Sequence, residues 1–372
     1  MKGSLFHKIE ESSCSVESDS SDEDEASIAR NRLIQRIQGY LSSLGLSKFS
    51  SGVALGYLQS RLQEEGGPEI FQNVISFFLT RLNATGSKSA DPTTFTRNWQ
   101  KGCPNLYPTL TASPIWKEET FARVKNPDMT DRLRTCIKEL EENFQKILEE
   151  FNQLRGSATA FQPYRSPPSA ESENDKDDLG QKATSTGNWN VAYLYLHGLD
   201  FSENLQLCPA TVRILHQVLP RHYSHAFFSV LSPGTHVTSH YGPTNKKLRL
   251  HLPLIVPPEG KAWLRVAEDH VILKKGKVVM FDDSHEHEAA NDHPTQPRVV
   301  LVMDIWHPDF REEEVKFLSF INKGQVLAAK KLIAAAKSQG EEFDSDFLSV
   351  IEKARQHPVM LTSEDKYDVR DD

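Results

Sequence analysis

The chain has 372 residues, 38% of them apolar, a mean hydropathy of -0.50 and a formal net charge of -8. The imbalance is local: Glu10, Glu11, Glu17, Asp19, Asp22, Glu23, Asp24 and Glu25 stand without a base between residues 10 and 25. The remainder is near neutral and has no general affinity for a phosphate backbone, which excludes nucleic acid as a partner. The longest apolar run, Val74 to Leu79 interrupted by Ser76, is too short to span a bilayer.

Cys14, Cys103, Cys136 and Cys208 are far apart and form no CxxC or zinc spacing, so they read as free thiols of a reducing compartment. No signal peptide is visible, and the sequence reads as soluble and cytoplasmic.

In chain order, residues 1–26 form a Ser- and acid-rich tail that buries too little apolar area to order. Ser18, Ser20 and Ser21 precede four consecutive acids, a pattern that suits an acid-directed kinase or a merely solubilising tail. Residues 27–100 read as a helical module and polar linker. Its apolar residues recur at helical spacing, as in Leu33, Ile37, Tyr40, Leu41 and Leu44, then Leu55, Leu58 and Leu62, then Ile70, Val74, Ile75, Phe78 and Leu82. Such stripes predict packing faces, with docking of a protein partner as the functional alternative.

The proline-rich stretch from Tyr107 to Trp116 reads as an extended strap that anchors Trp116 in a core. A strong amphipathic helix is predicted over 130–155, and residues 156–187 as a disordered, mobile insertion. Trp189–Leu196 alternates as a strand, Pro209–Leu219 reads as a helix, and a β-rich stretch starts at Ala226. Residues 311–372 turn helical again, over 312–322, 325–337 and 343–354, and end in a polar tail.

Chemistry concentrates between Ser229 and Trp306. In Leu248-Arg249-Leu250-His251-Leu252, alternation puts Arg249 and His251 on one face and the leucines on the other. Arg298, Val300, Val302 and Asp304 likewise face away from Val299, Leu301 and Met303. An arginine deep in an apolar strand is costly unless an anion pairs with it. Two of them suggest an interior carboxylate site, because guanidinium holds a carboxylate by two parallel hydrogen bonds. The alternative is a structural salt bridge with Asp282, Asp283 or Asp304. His240 lies in a Gly/Pro-rich turn and His287 follows the run Val278–Phe281. Either alone would read as a structural histidine; together at strand ends they suit imidazole ligation of iron. The carboxylate that commonly follows two residues after the first histidine is replaced by Gly242, so spacing alone leaves the metal one ligand short.

Taken together, Ser229, Pro233-Gly234-Thr235-His236, His240, Gly242-Pro243-Thr244-Asn245, Arg249-Leu250-His251, Phe281-Asp282-Asp283-Ser284, His287-Glu288, Arg298 and Asp304-Ile305-Trp306-His307-Pro308 resemble the aspartyl/asparaginyl β-hydroxylase family. Leu110 to Trp116 also looks like that family's entry segment, so the resemblance covers about 104–310. It implies an α+β fold, a double-stranded β-helix (jelly roll, cupin-like) with flanking helices. It also implies an Fe(II)- and 2-oxoglutarate-dependent dioxygenase that consumes O2 and hydroxylates the β-carbon of Asp or Asn in a peptide or protein. The family has glycine where Gly242 stands. Carried over by position, His240 and His287 bind iron, and Ser229, Arg249, His251 and Arg298 hold the 2-oxoglutarate carboxylates. Two departures are visible: His285 replaces an aromatic, and one extra residue separates His287 from Arg298. If its strand stays regular, His285 shares the face of His287 and either competes as a ligand or lines the substrate mouth. A small-molecule or lipid acyl substrate, and a non-catalytic binding module, are the alternatives.

Overall fold

The computed structural model describes residues 21–64, 66–86, 98–157, 160–166, 176–177, 179–339, 347–359 and 361. Most of the expected acidic tail, with its Ser18 and Ser20, lies outside the described residues, as do much of the linker before Asn98 and the middle of the predicted insertion. The chain divides into two compact units, Met1–Thr94 with Arg311–Ala328, and Phe95–Phe310 with Ala329–Asp372.

The first unit contains helices α1 (Ser21–Ser43), α2 (Lys48–Gln63) and α3 (Gln72–Gly86). The helical spacing read from the sequence buries Ile37, Leu41, Leu55, Leu58, Val74 and Phe78. Helix α1 starts before residue 27, inside the stretch expected to be disordered. The first part of Glu312–Ser338, expected as two helices and found as one, belongs to this unit up to Ala328. Its fully buried Glu314 accepts from the backbone N–H groups of Asn73 (2.9 Å) and Val74 (3.1 Å). These are donors that a helix start leaves without partners. Tyr57, Phe71, Phe78 and Phe317 pack edge to face or stacked around that contact.

The second unit is built on antiparallel sheets. We number its strands β1 (Gln162–Pro163), β2 (Thr184–Thr186), β3 (Trp189–Leu196), β4 (His222–Leu231), β5 (Thr235–His240), β6 (Lys247–Ile255), β7 (Ala262–Val266), β8 (Asp269–Ile272), β9 (Val279–Phe281), β10 (His287–Asn291) and β11 (Arg298–Trp306). The larger sheet runs β1-β3-β4-β11-β6-β9 and the smaller β8-β7-β10-β5-β2. From β4 onward the chain passes repeatedly from one sheet to the other. The first such passage turns at Gly234, whose φ of 64 requires a glycine.

Alternation along the strands decides which core each residue enters. Leu248, Leu250, Leu252, Val299, Leu301 and Met303 face outward, onto helices Pro127–Glu142, Phe144–Leu154 and Pro209–Val218. Val191, Tyr193, Phe227, Val300 and Val302 face inward and pack with Val237, Leu264 and Ala289 of the smaller sheet. The single helix expected over 130–155 is broken at Asn143, where φ and ψ of -92 and 5 leave the helical region and the side chain bonds back to the Glu139 carbonyl. The predicted insertion also differs from expectation, since β1 and β2 fall inside it and pair with β3 and β5. Backbone pairing of edge strands needs no apolar side chains, so a polar composition concealed them. The strap before Trp116 pairs with β9, through Trp116 N to Met280 O (2.9 Å) and Asp282 N to Pro114 O (3.0 Å), and Trp116 is buried.

Cys103, Cys136 and Cys208 are free and buried, and burial pushes each thiol up to about 12. Among the described residues no helix is long and apolar enough to cross a membrane.

Candidate active site

His240 ends β5 and His287 opens β10, and the register of these neighbouring strands sets them opposite each other. Their ring centroids are 4.1 Å apart. His240 Nδ1 lies 2.7 Å from the Thr238 carbonyl, and His287 Nδ1 lies 2.9 Å from the His285 carbonyl. A carbonyl accepts only from N–H, so each proton sits on Nδ1 and each Nε2 keeps its lone pair. Burial lowers the pKa of both rings, and for His287 the neighbouring His240 adds to the effect. Two neutral imidazoles with fixed tautomers and free Nε2 atoms are a suitable donor pair for a divalent transition metal.

Among the described residues no third His, Cys, Asp or Glu joins them as a metal-holding group. The place after His240 where a carboxylate could stand is closed. A Cβ on Gly242 would lie 2.6 Å from Asp283 Cγ and 2.8 Å from the Asp283 carbonyl oxygen. Gly242 N instead donates to that carbonyl at 2.6 Å. Asp283 fills the space from the facing turn, and its Oδ1 has no hydrogen-bond partner.

His285 does not share the face of His287. It lies in the turn before β10 begins, so strand alternation does not apply to it. Its Nδ1 is 3.2 Å from the Asp282 carbonyl, and the ring lines a separate pocket of about 500 Å³ with Trp99, Thr111, Pro114 and Arg123.

The inner face of the larger sheet carries the other predicted residues in two groups. Arg298, Ser229 and His251 form the first. Arg298 is only 2% exposed, and burial lowers its pKa to about 10. Its Nη2 lies 3.4 Å from His251 Nδ1, its Nε has no partner, and no carboxylate among the described residues pairs with it. His251 is held neutral by burial and by the adjacent Arg298 charge. Ser229 Oγ accepts from Trp189 Nε1 at 3.0 Å, which leaves its own proton free to donate.

Arg249 belongs to the second group and is bidentate to Asp304, Nε to Oδ1 at 2.8 Å and Nη2 to Oδ2 at 2.9 Å. Its Nη1 also lies 3.3 Å from Asp283 Oδ2. Lys247 bridges both acids, at 2.6 Å to Asp283 and 3.1 Å to Asp304, and His225 Nδ1 donates to Asp304 at 2.6 Å. Burial alone would raise the Asp304 carboxyl; Arg249 and Lys247 outweigh it and hold it well below the usual carboxylate range. The salt bridge named as the alternative is therefore present at Arg249 and, among the described residues, absent at Arg298.

Sequence reading passed over Lys247 and His225. Lys247 was findable, since it precedes Arg249 and His251 at the same two-residue spacing. His225 stands at the same spacing before Phe227 and Ser229.

Two free imidazole nitrogens, an unpaired carboxylate oxygen and a buried guanidinium without a counter-anion fit a divalent metal together with a dicarboxylate. Residues 141–308 match the family model described as "Aspartyl/Asparaginyl beta-hydroxylase". The chain is 35% identical to human aspartate beta-hydroxylase domain-containing protein 2 over 197 residues, 51% of this chain and 50% of that one. It is 30% identical to human aspartyl/asparaginyl beta-hydroxylase over 233 residues, 61% of this chain and 27% of that one. It is 32% identical to the ornithine lipid ester-linked acyl 2-hydroxylase of Rhizobium tropici over 190 residues, 50% of this chain and 63% of that one. The chain thus spans about half the length of the first of these relatives.

Proposed function

Through residues 141–308 the chain belongs to the aspartyl/asparaginyl β-hydroxylase family, and we propose that it is an iron(II)- and 2-oxoglutarate-dependent hydroxylase. In this reading the passage of the chain between two facing sheets is the double-stranded β-helix of the fold expectation. The observation that carries the function is the uncompensated Arg298 on the larger sheet, together with the pair of neutral, metal-competent histidines on the smaller one. A buried charge without a partner is strongly destabilising unless a bound anion completes it.

His240 and His287 would hold iron through Nε2. Arg298 would clamp one carboxylate of 2-oxoglutarate, with the Ser229 hydroxyl donating and His251 closing the side of the subsite. Arg249, held by Asp304 and Asp283, would place its charge between the histidines and the bound molecule. Bound iron with 2-oxoglutarate supplies the oxidising power by which O2 and 2-oxoglutarate become succinate and CO2 while a substrate C–H becomes C–OH. The chain's own part is to orient the two substrates and to keep water out with the inward apolar residues of both sheets.

The substrate proposed is a peptide or protein, hydroxylated at the β-carbon of Asp or Asn, in line with the human relatives. The Rhizobium relative supports a second reading, a lipid acyl chain. The helices of the first unit would dock a protein substrate or partner.

His287→Ala is expected to abolish succinate formation from 2-oxoglutarate while the circular dichroism spectrum stays unchanged. A folded variant that still forms succinate at the wild-type rate would overturn the assignment.

A further inference from the structure

The first unit leaves apolar side chains in solvent along one line. Phe49 is 81% exposed, Val53 42%, Phe320 39% and Leu327 60%. Their helices, α2 and Glu312–Ser338, lie side by side and antiparallel. Tyr57 stacks on Phe317 with ring centroids 6.3 Å apart, and further along Leu46 and Ser50 meet Gly324. The helices are close there, since a Cβ on Gly324 would lie 2.5 Å from Leu46 Cδ2.

Counted along α2, Val53 and Phe49 stand about 40° and 80° from Tyr57, opposite in sense to the buried Ala54 and Leu58. On the long helix, Phe320 and Leu327 stand about 60° and 80° from Phe317, opposite in sense to the buried Leu318 and Ile321. In an antiparallel pair both offsets turn to the same side, so the four residues rim one groove facing away from the core of this unit. Gly52 and Gly56 continue the α2 rim, and a Cβ on either would meet nothing within 4 Å. Glycine inside a helix costs about 0.5–1 kcal/mol relative to Ala; here it lowers one wall and lets another chain lie close.

The charge along the groove has one sign. Helix α2 carries Lys48 and Arg61 and no acid, and the long helix carries Lys316 and Lys323 and no acid from Val315 to Ala328. Lys316 and Lys323 stand about 100–120° from Phe317 in the same sense as Phe320. A basic, apolar groove fits an occupant that is apolar and acidic. A second copy set face to face fits poorly, because a two-fold contact would oppose lysine to lysine.

The chain itself supplies a matching segment. Residues 1–20, outside the described residues, carry Leu5, Phe6 and Ile9 and then Glu10, Glu11, Glu17 and Asp19. They join α1 of the same unit at Ser21. Helix α1 is about 34 Å long, and α2 packs back on it after the turn Leu44–Ser47. The link from Ile9 to Ser21 spans up to about 40 Å, so the apolar residues reach the groove. The tether also holds them at an effective concentration of about millimolar.

We propose that residues 5–19 dock in the groove between α2 and Glu312–Ser338. Leu5, Phe6 and Ile9 meet Phe49, Val53, Phe320 and Leu327, and the acids face Lys316 and Lys323. This goes beyond the hydroxylase reading and does not depend on it. A partner protein that uses the groove must displace the chain's own segment.

The test places an environment-sensitive fluorophore, acrylodan, on Cys14 of the full chain. Cys103, Cys136 and Cys208 are buried, and Cys14→Ser treated alike is the blank. The emission should lie to the blue of that of the labelled peptide 1–25, and dilution should not change it. Phe49→Glu and Leu327→Glu should abolish the blue shift, and Lys323→Glu and high salt should reduce it. Ile272→Glu, an exposed apolar site in the second unit, should leave it unchanged. Both apolar positions are mostly in solvent, so the melting temperatures of their variants should match wild type. Emission equal to that of the free peptide, or a shift that survives Phe49→Glu and Leu327→Glu, overturns the proposal. A shift that fades on dilution overturns it in favour of a neighbouring copy's segment. A shift that appears only with phosphatidylserine vesicles overturns it in favour of an anionic membrane.

Discussion

Two guanidinium groups face the interior from the same sheet, and they are in opposite electrostatic states. Arg249 meets two carboxylates, shares them with Lys247, and is kept charged by them although burial opposes it. Arg298, six residues before Asp304 on β11 and so about 20 Å along the strand, has a neutral imidazole beside it and no carboxylate among the described residues. Both would cost several kcal/mol if isolated. One cost is met within the fold, and the other is not met by any carboxylate among the described residues. The paired end is thus a structural element, and the unpaired end is the one that the proposed function makes a receptor.

The comparison is broken most directly from the paired end. Asp304→Asn removes the anion shared by Arg249, Lys247 and His225 and should cost about 3–5 kcal/mol of folding free energy, read in a denaturant titration. At the other end Arg298→Met should leave the ligand-free protein equally or more stable, because an unpaired buried charge is replaced by an apolar chain. The same variant should lose about 100-fold in 2-oxoglutarate affinity. If both substitutions destabilise to the same extent, the two ends do not differ and Arg298 has a partner of its own.

How much of this was legible in the sequence follows from the range over which each contact acts. Two-residue alternation is local, and it correctly put Arg249 and His251 opposite Leu248, Leu250 and Leu252, and Arg298 opposite Val299. Which anion meets which cation is not local. Asp304 faces Arg249 because β11 and β6 pair in one register, and no spacing within either strand reveals that. The same holds for His240 and His287, joined by the pairing of β5 with β10. The expectation for His285 required a regular strand, and a turn occupies that position. The apolar stripe over 130–155 continues through the break at Asn143, which is why one helix was read where two form.

The smallest expected effect sharpens the paired end. Asp283 Oδ1 has no hydrogen-bond partner among the described residues and stands 2.7 Å from where a Cβ on Gly242 would be. The backbone there is also tied, since Gly242 N donates to Asp283 O at 2.6 Å. A methyl group at Gly242 therefore cannot be accommodated by turning one flexible side chain; the Asp283 backbone must shift, and Lys247 and Arg249 lose part of their counter-charge. Gly242→Ala should cost about 1–3 kcal/mol, the range of a small overpacking error in a close-packed site, and should weaken manganese(II) binding because His240 lies two residues away on the same turn. An unchanged melting temperature with unchanged metal affinity would show that Asp283 moves freely. The paired end would then be an adaptable cluster, and its contrast with Arg298 would be one of charge alone.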